Sequence, residues 1–235
     1  MNTINVNPQR FLLHWLASAI GVWPVAAVAC LVAWTPIAIL TAILGQYESL
    51  FPLARIISTI AIFIIPGMSI GYVIGDLQHT LLRDILKWDF QDWVRYSSIG
   101  GVAGGLLVIL AIMTVGRGLS ENLQWMITMP LFILPISIMQ WRLLRQSARD
   151  AWLWIAANLT AAIVFSGLVF NTRPLSFLQY EPLNSIIIWF FAAMSIGVIT
   201  GVVMLWLYEH PLSDWNDDDA EFAPVYIEVR NRDDR

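Results

Sequence analysis

The stretch MQWRLLRQSARDAW, Met139–Trp152, places three arginines within eight residues of a chain that is otherwise strongly apolar. Arg142, Arg145 and Arg149 stand between two segments that contain no Asp, Glu, Lys or Arg, 122–141 and 151–172. Outward from this loop the pattern recurs. Residues 11–47, 56–75, 96–116 and 182–208 are also free of charge, and each of these six runs has at least 20 residues. About 20 apolar residues in a helix cross the hydrocarbon of a bilayer. Inside lipid the backbone must satisfy its own hydrogen bonds, so spans of this length are helices.

Composition agrees. Of the 235 residues 58% are hydrophobic and 13% charged, where a soluble domain carries roughly a quarter charged. The expected fold is all-α: a polytopic transmembrane bundle of six spans over 11–210, with a polar lead at 1–10 and an acidic tail at 211–235. Cys30 is the only cysteine, which excludes an intramolecular disulfide. The apolar run after Arg10 continues far past signal-peptide length, so a cleavable leader is not expected. The net charge of −4 belongs to the tail: residues 210–235 hold eight acids and three arginines, and the remainder nine acids and ten bases. Nothing basic and aromatic resembles a nucleic-acid surface.

With one span per run, the N-terminus, the loops near 76–95 and 142–150, and the tail share a side. That side carries Arg10, Arg83, Lys87, Arg95, Arg142, Arg145 and Arg149, against Arg55, Arg117 and Arg173 opposite. Such an excess marks cytoplasmic loops. The arginines of the opening stretch are therefore topology anchors, and both termini are cytoplasmic, in a bacterial inner or internal membrane. Run 11–47 is long for one crossing. It reads as one tilted span, kinked at Pro24 or Pro36, with an interfacial piece; two short spans are the alternative.

GYVIGDLQHTLLR (71–83) has an echo in PISIMQWRLLR (135–145), which aligns Gln78 with Gln140 and Arg83 with Arg145. A fainter copy is GVITGVVMLWLYEH (197–210). DWVRYSSIGG (92–101) and DAWLWIAANL (150–159) correspond after the first two copies, and FLLHWLASAIG (11–21) looks like the same start-of-hairpin segment. The simplest account is three diverged helical hairpins. The pattern Gly-x3-Gly-x2-Gln…Leu-Leu-Arg, a loop, then a Trp-led helix of small residues resembles a group of uncharacterised bacterial polytopic membrane proteins whose hairpins repeat Gln-Trp-Leu-x-Leu-Arg. The likeness covers most of 11–210. The chain departs from it at His79, where the group has Trp, and in the third copy, which lacks both Gln and Arg. The resemblance implies architecture and no activity.

Gly71/Gly75, Gly100/Gly104 and Gly197/Gly201 are pairs four apart, which share a helix face and let backbones approach closely. They are expected to pack the bundle, with dimerisation as the alternative. The tryptophans near span ends, among them Trp15, Trp88, Trp93, Trp141, Trp152, Trp154 and Trp206, fit an interfacial belt.

Few residues suggest chemistry. Asp76, His79 and Arg83 lie on one helical face, and an ionisable group at the membrane boundary is a functional candidate. The plainer expectation is a helix end where Asp76 pairs with His79 or a neighbouring Arg. His14, His79 and His210 are candidate axial ligands for a haem or another tetrapyrrole, although no metal-site spacing joins them, and no metal or cofactor is expected. The His-Glu-x-x-His, Gly-x4-Gly-Lys-Ser/Thr and Gly-x-Ser-x-Gly motifs do not occur. The sole lysine, Lys87, lies outside the spans, which excludes a retinal Schiff base within the bundle. In the tail, Asp217–Asp219 form a charge cluster, and VYIEV (225–229) is short and strand-like, suited to adding to a partner's sheet edge.

The expected function is a non-catalytic accessory or scaffolding subunit of a larger membrane complex, with respiratory and photosynthetic assemblies as candidate hosts. The alternative is a small-molecule transporter, or the substrate-binding membrane subunit of one. A transporter would show broken helices meeting at mid-membrane around polar residues. An intramembrane enzyme, with Asp76 at its centre, is third.

Overall fold

The computed structural model describes residues 7–47, 50–114, 118–171 and 181–212. Arg117, Arg173, Asp217–Asp219 and the 225–229 segment lie outside them. The described residues form α1 (Pro8–Leu44), α2 (Phe51–Leu81), α3 (Trp93–Thr114), α4 (Glu121–Leu144), α5 (Leu153–Asn171) and α6 (Glu181–Glu209). All six are long and apolar enough to cross a membrane.

Local chemistry sets the ends. Asn7 caps α1, its Oδ1 accepting from the backbone N–H of Gln9 at 3.0 Å and Arg10 at 3.1 Å, and Pro8 fills the first turn, where its missing N–H costs nothing. At the far end of α2 the coil widens into a π-helical turn, Leu82–Leu86. Lys87, left-handed at φ 59°, stops it, and its Nζ donates to the Asp84 carbonyl at 2.8 Å. Leu82 and Leu86 are both buried in this turn.

Each helix packs on its neighbour in the chain, and α6 packs back on α1, so the six form a closed ring. Glycines set the close approaches. On α2, a Cβ on Gly71 would meet the Ser97 backbone of α3, and one on Gly75, a turn further along the same face, would lie 2.8 Å from Ser97 Cβ. On α3, a Cβ on Gly101 would meet the Gly67 backbone of α2, while one on Gly100 would meet the Ile136 backbone of α4 and one on Gly104 that of Phe132. At the closing seam a Cβ on Gly197 would lie 3.0 Å from that of Ala19, and one on Gly201 would lie 2.8 Å from Trp15 Cδ1. Gly71, Gly75, Gly100, Gly104, Gly197 and Gly201 are all buried at helix–helix contacts within the chain. Gly71 and Gly75 therefore face Ser97 of the same chain, and the alternative of a dimer face does not apply to these pairs.

One end of the ring holds the main core. Phe11 and Trp15 of α1, Leu82, Leu86 and Trp93 around the α2–α3 turn, Leu144, Ala148, Ala151 and Trp154 around the α4–α5 turn, and Met204 and Leu207 of α6 form one cluster. The start of α1, both turns and the end of α6 thus come together. The α4–α5 turn is also tied to the chain leaving α6: Ala148 bridges Pro211, Arg149 N–H donates to His210 O at 3.4 Å, and Leu212 N–H to Ser147 O at 3.2 Å.

Run 11–47 lies as far as Leu44 in one continuous helix, the 37-residue α1, roughly 55 Å at 1.5 Å per residue. The helix continues through Pro24 and Pro36, as α2 does through Pro66 and α4 through Pro130 and Pro135, although each proline forgoes the turn bond its missing N–H would make. The breaks that a carrier of the broken-helix type would use are not found at these prolines.

Candidate functional site

Polar side chains from all six helices meet in one place. Trp15, Trp93 and Trp154 lie in the opening turns of α1, α3 and α5, and each is at most 1% exposed. Trp15 and Trp154 meet edge to face at 6.1 Å between centroids, and Trp93 is tilted against Trp154 at 6.3 Å. Phe11 packs on Trp15 at 5.3 Å and Phe90 stacks on Trp93 at 5.6 Å. Such ring pairs contribute about 0.5–1.5 kcal/mol each beyond their burial. Three of the residues expected in an interfacial belt are therefore buried in the core. A buried indole N–H needs an acceptor, and the preceding helix in the ring supplies one each time.

Trp154 Nε1 donates to Gln140 Oε1 at 2.9 Å, Trp93 Nε1 to Gln78 Oε1 at 3.3 Å, and Trp15 Nε1 to Thr200 Oγ1 at 3.0 Å. An indole N–H only donates, so it fixes which end of each glutamine amide faces it. Gln140 Nε2 is then turned to donate at 2.8 Å both to Gln78 Oε1 and to Ser97 Oγ. The Ser97 hydroxyl donates in turn to the Trp93 carbonyl, and that of Thr200 to the Ile196 carbonyl. Gln140 thus links α2, α3, α4 and α5. In the third register Met204 stands where Gln78 and Gln140 would align, and Thr200, one turn earlier, accepts instead. Among the described residues no buried side-chain nitrogen or oxygen lacks a partner. The centre is a polar knot in which all three indole N–H groups and the Gln140 amide are matched.

The polar helix-end cluster resolves differently from the expected pairing. Asp76 is exposed, and His79 takes its carboxylate from Asp89 instead, Nε2 to Oδ1 at 3.2 Å. The left-handed stop at Lys87 turns the chain so that Asp89, ten residues on, reaches back to His79. Arg83 pairs with its neighbour Asp84 at 3.0 Å. Asp76, His79 and Arg83 therefore share a face without forming a relay. His14 Nδ1 lies 2.7 Å from the Arg10 carbonyl, and His210 Nδ1 2.8 Å from that of Trp206, on whose ring it stacks at 4.1 Å. A carbonyl only accepts, so both Nδ1 atoms carry the proton. Among the described residues no group of three or more His, Cys, Asp or Glu is placed to hold a metal ion.

The tryptophan–glutamine knot is only half visible in the sequence. The alignment of Gln78 with Gln140 is a signal; nothing in the spacing connects it to the partner tryptophans 14 and 15 residues further on. Comparison with protein-family models, with curated proteins and with solved structures gives no match.

Proposed function

We propose that this chain is a non-catalytic integral membrane protein that serves as an accessory or scaffolding subunit of a larger membrane complex. The observation that carries this is the outer arm of α1 and α2. The residues α1 buries, Phe11, Trp15, Val22 and Ala26, all fall in its first half. Beyond them Val28, Leu31, Val32, Ile39, Leu40 and Ile43 are exposed, and Phe51, Leu53, Ile56, Ile60 and Ile62 of α2 are exposed as well. A helix of roughly 55 Å exceeds the ~30 Å hydrocarbon, and its apolar flank suits packing by another subunit's helices. The self-satisfied knot at the opposite end supports a structural role over a reactive one.

In this reading both termini face the cytoplasm of a bacterial inner or internal membrane, and residues 211–235 supply a docking segment. The six helices are three diverged hairpins, α1–α2, α3–α4 and α5–α6. The cyclic order of the three indole bonds supports that division, because each hairpin's leading tryptophan donates to the closing helix of the one before it.

Extraction in a mild neutral detergent, followed by native electrophoresis and identification of what co-migrates, tests the subunit reading. Co-migration with a defined set of membrane proteins is expected. A chain that migrates alone, under conditions that leave other membrane complexes whole, would refute it.

A further inference from the structure

We infer that the arginines closing α4 form a binding site for the phosphate of an anionic phospholipid headgroup. Arg142 and Arg145 lie three apart at the end of α4, on one face, and Arg149 follows in the turn. All three are exposed. None makes an ion pair with a carboxylate among the described residues, although Asp150 and Glu209 are near in the chain or across the turn. Arg83 and Arg95 at this end differ, since Arg83 is held by Asp84 and Arg95 lies 3.8 Å from Asp92.

The unpaired set is built rather than loose. The Arg145 guanidinium sits over the Trp141 indole, 5.3 Å from its centroid, which orients the planar group while leaving its edge N–H groups to bond phosphate oxygens. The turn that carries Arg149 is pinned by the Ala148–Pro211 bridge and by the backbone bonds of Arg149 to His210 and of Leu212 to Ser147. Exposed Trp152 flanks the same turn, an amphipathic ring suited to headgroup depth. Cations at the end of a membrane-crossing helix, beside interfacial tryptophan and not ion-paired with any acid among the described residues, match a lipid phosphate. The competing source of negative charge is the chain's own 214–221 segment, which holds five acids and no base.

Native mass spectrometry of the full chain, released from vesicles of phosphatidylglycerol and phosphatidylcholine, tests the site. Wild type is expected to retain phosphatidylglycerol preferentially. Each of Arg142→Gln, Arg145→Gln and Arg149→Gln should weaken that retention about 5-fold, and the triple variant roughly 100-fold. Arg10→Gln with Arg95→Gln, which removes charge at the same end, should leave it unchanged. The single variants keep the test sharp if the triple one misfolds, because the exposed side chains lie outside the core. Folded variants that retain phosphatidylglycerol like wild type overturn the proposal. So does a full chain without preference that gains one on truncation after Leu212, since the acidic segment would then be the occupant.

Discussion

The indole N–H of Trp154 donates to Oε1 of Gln140 at 2.9 Å, and both side chains are closed to solvent. Because the other end of the Gln140 amide reaches Gln78 and Ser97, this pair ties four helices through one side chain. A polar residue in that position is costly to remove. Its partners cannot turn to water.

Gln140→Leu should destabilise the protein by about 2–3 kcal/mol, the cost of leaving the Trp154 N–H without an acceptor and the Gln78 and Ser97 oxygens short of a donor. Adding Trp154→Phe removes one orphaned donor, so the double variant should lose less than the sum of the two single changes. Midpoints of thermal unfolding in a fixed detergent read both effects.

Glycine positions separate into two groups. Gly101→Ala would push its new methyl into the Gly67 backbone, where neither helix can yield without parting, and should cost about 1–3 kcal/mol. Gly21→Ala meets nothing within 4 Å and should be neutral or slightly stabilising, as Ala favours helix. Unfolding midpoints of the two single variants give the comparison.

Topology has a direct readout. Single cysteines at Trp88 and Ser147, in a Cys30→Ser background, should react with an impermeant maleimide from the same face of sealed vesicles. Trp88 belongs with the cluster that holds Leu144 and Ala148, so labelling from opposite faces would contradict the arrangement.

The subunit reading also expects no pigment. Protein extracted gently from its native membrane should show no visible absorbance band; one that disappears in His14→Ala or His210→Ala would assign a tetrapyrrole to those rings.

The spans are legible because charge is expensive in lipid, so its absence over 20 or more residues prints the crossings onto the sequence. The common end of the loops is legible through the arginines for the same reason. Burial within the bundle is not. In an apolar helix every face is greasy, and no polar side distinguishes the face that meets protein from the one that meets lipid. Trp15, Trp93 and Trp154 therefore look like Trp152 in the sequence, although the first three are core and Trp152 is 57% exposed. Glycine pairs such as Gly71 and Gly75 are the exception, since only close helix contact rewards them. The pairing of His79 with Asp89 depends on a π-helical turn and a left-handed lysine that no periodicity announces.

The six helices close into a ring through the α6–α1 seam, and a cross-link between those two helices tests that closure. Ala19→Cys with Gly197→Cys, made in a Cys30→Ser chain, places two thiols where a Cβ at 197 lies 3.0 Å from that of Ala19, within small adjustment of the ~3.8 Å disulfide spacing. Mild oxidation in native membranes should give an intramolecular cross-link that reductant reverses, while Leu13→Cys with Gly197→Cys, whose first position points outward, should not. A folded chain in which the seam pair stays uncross-linked would show that α6 does not return to α1.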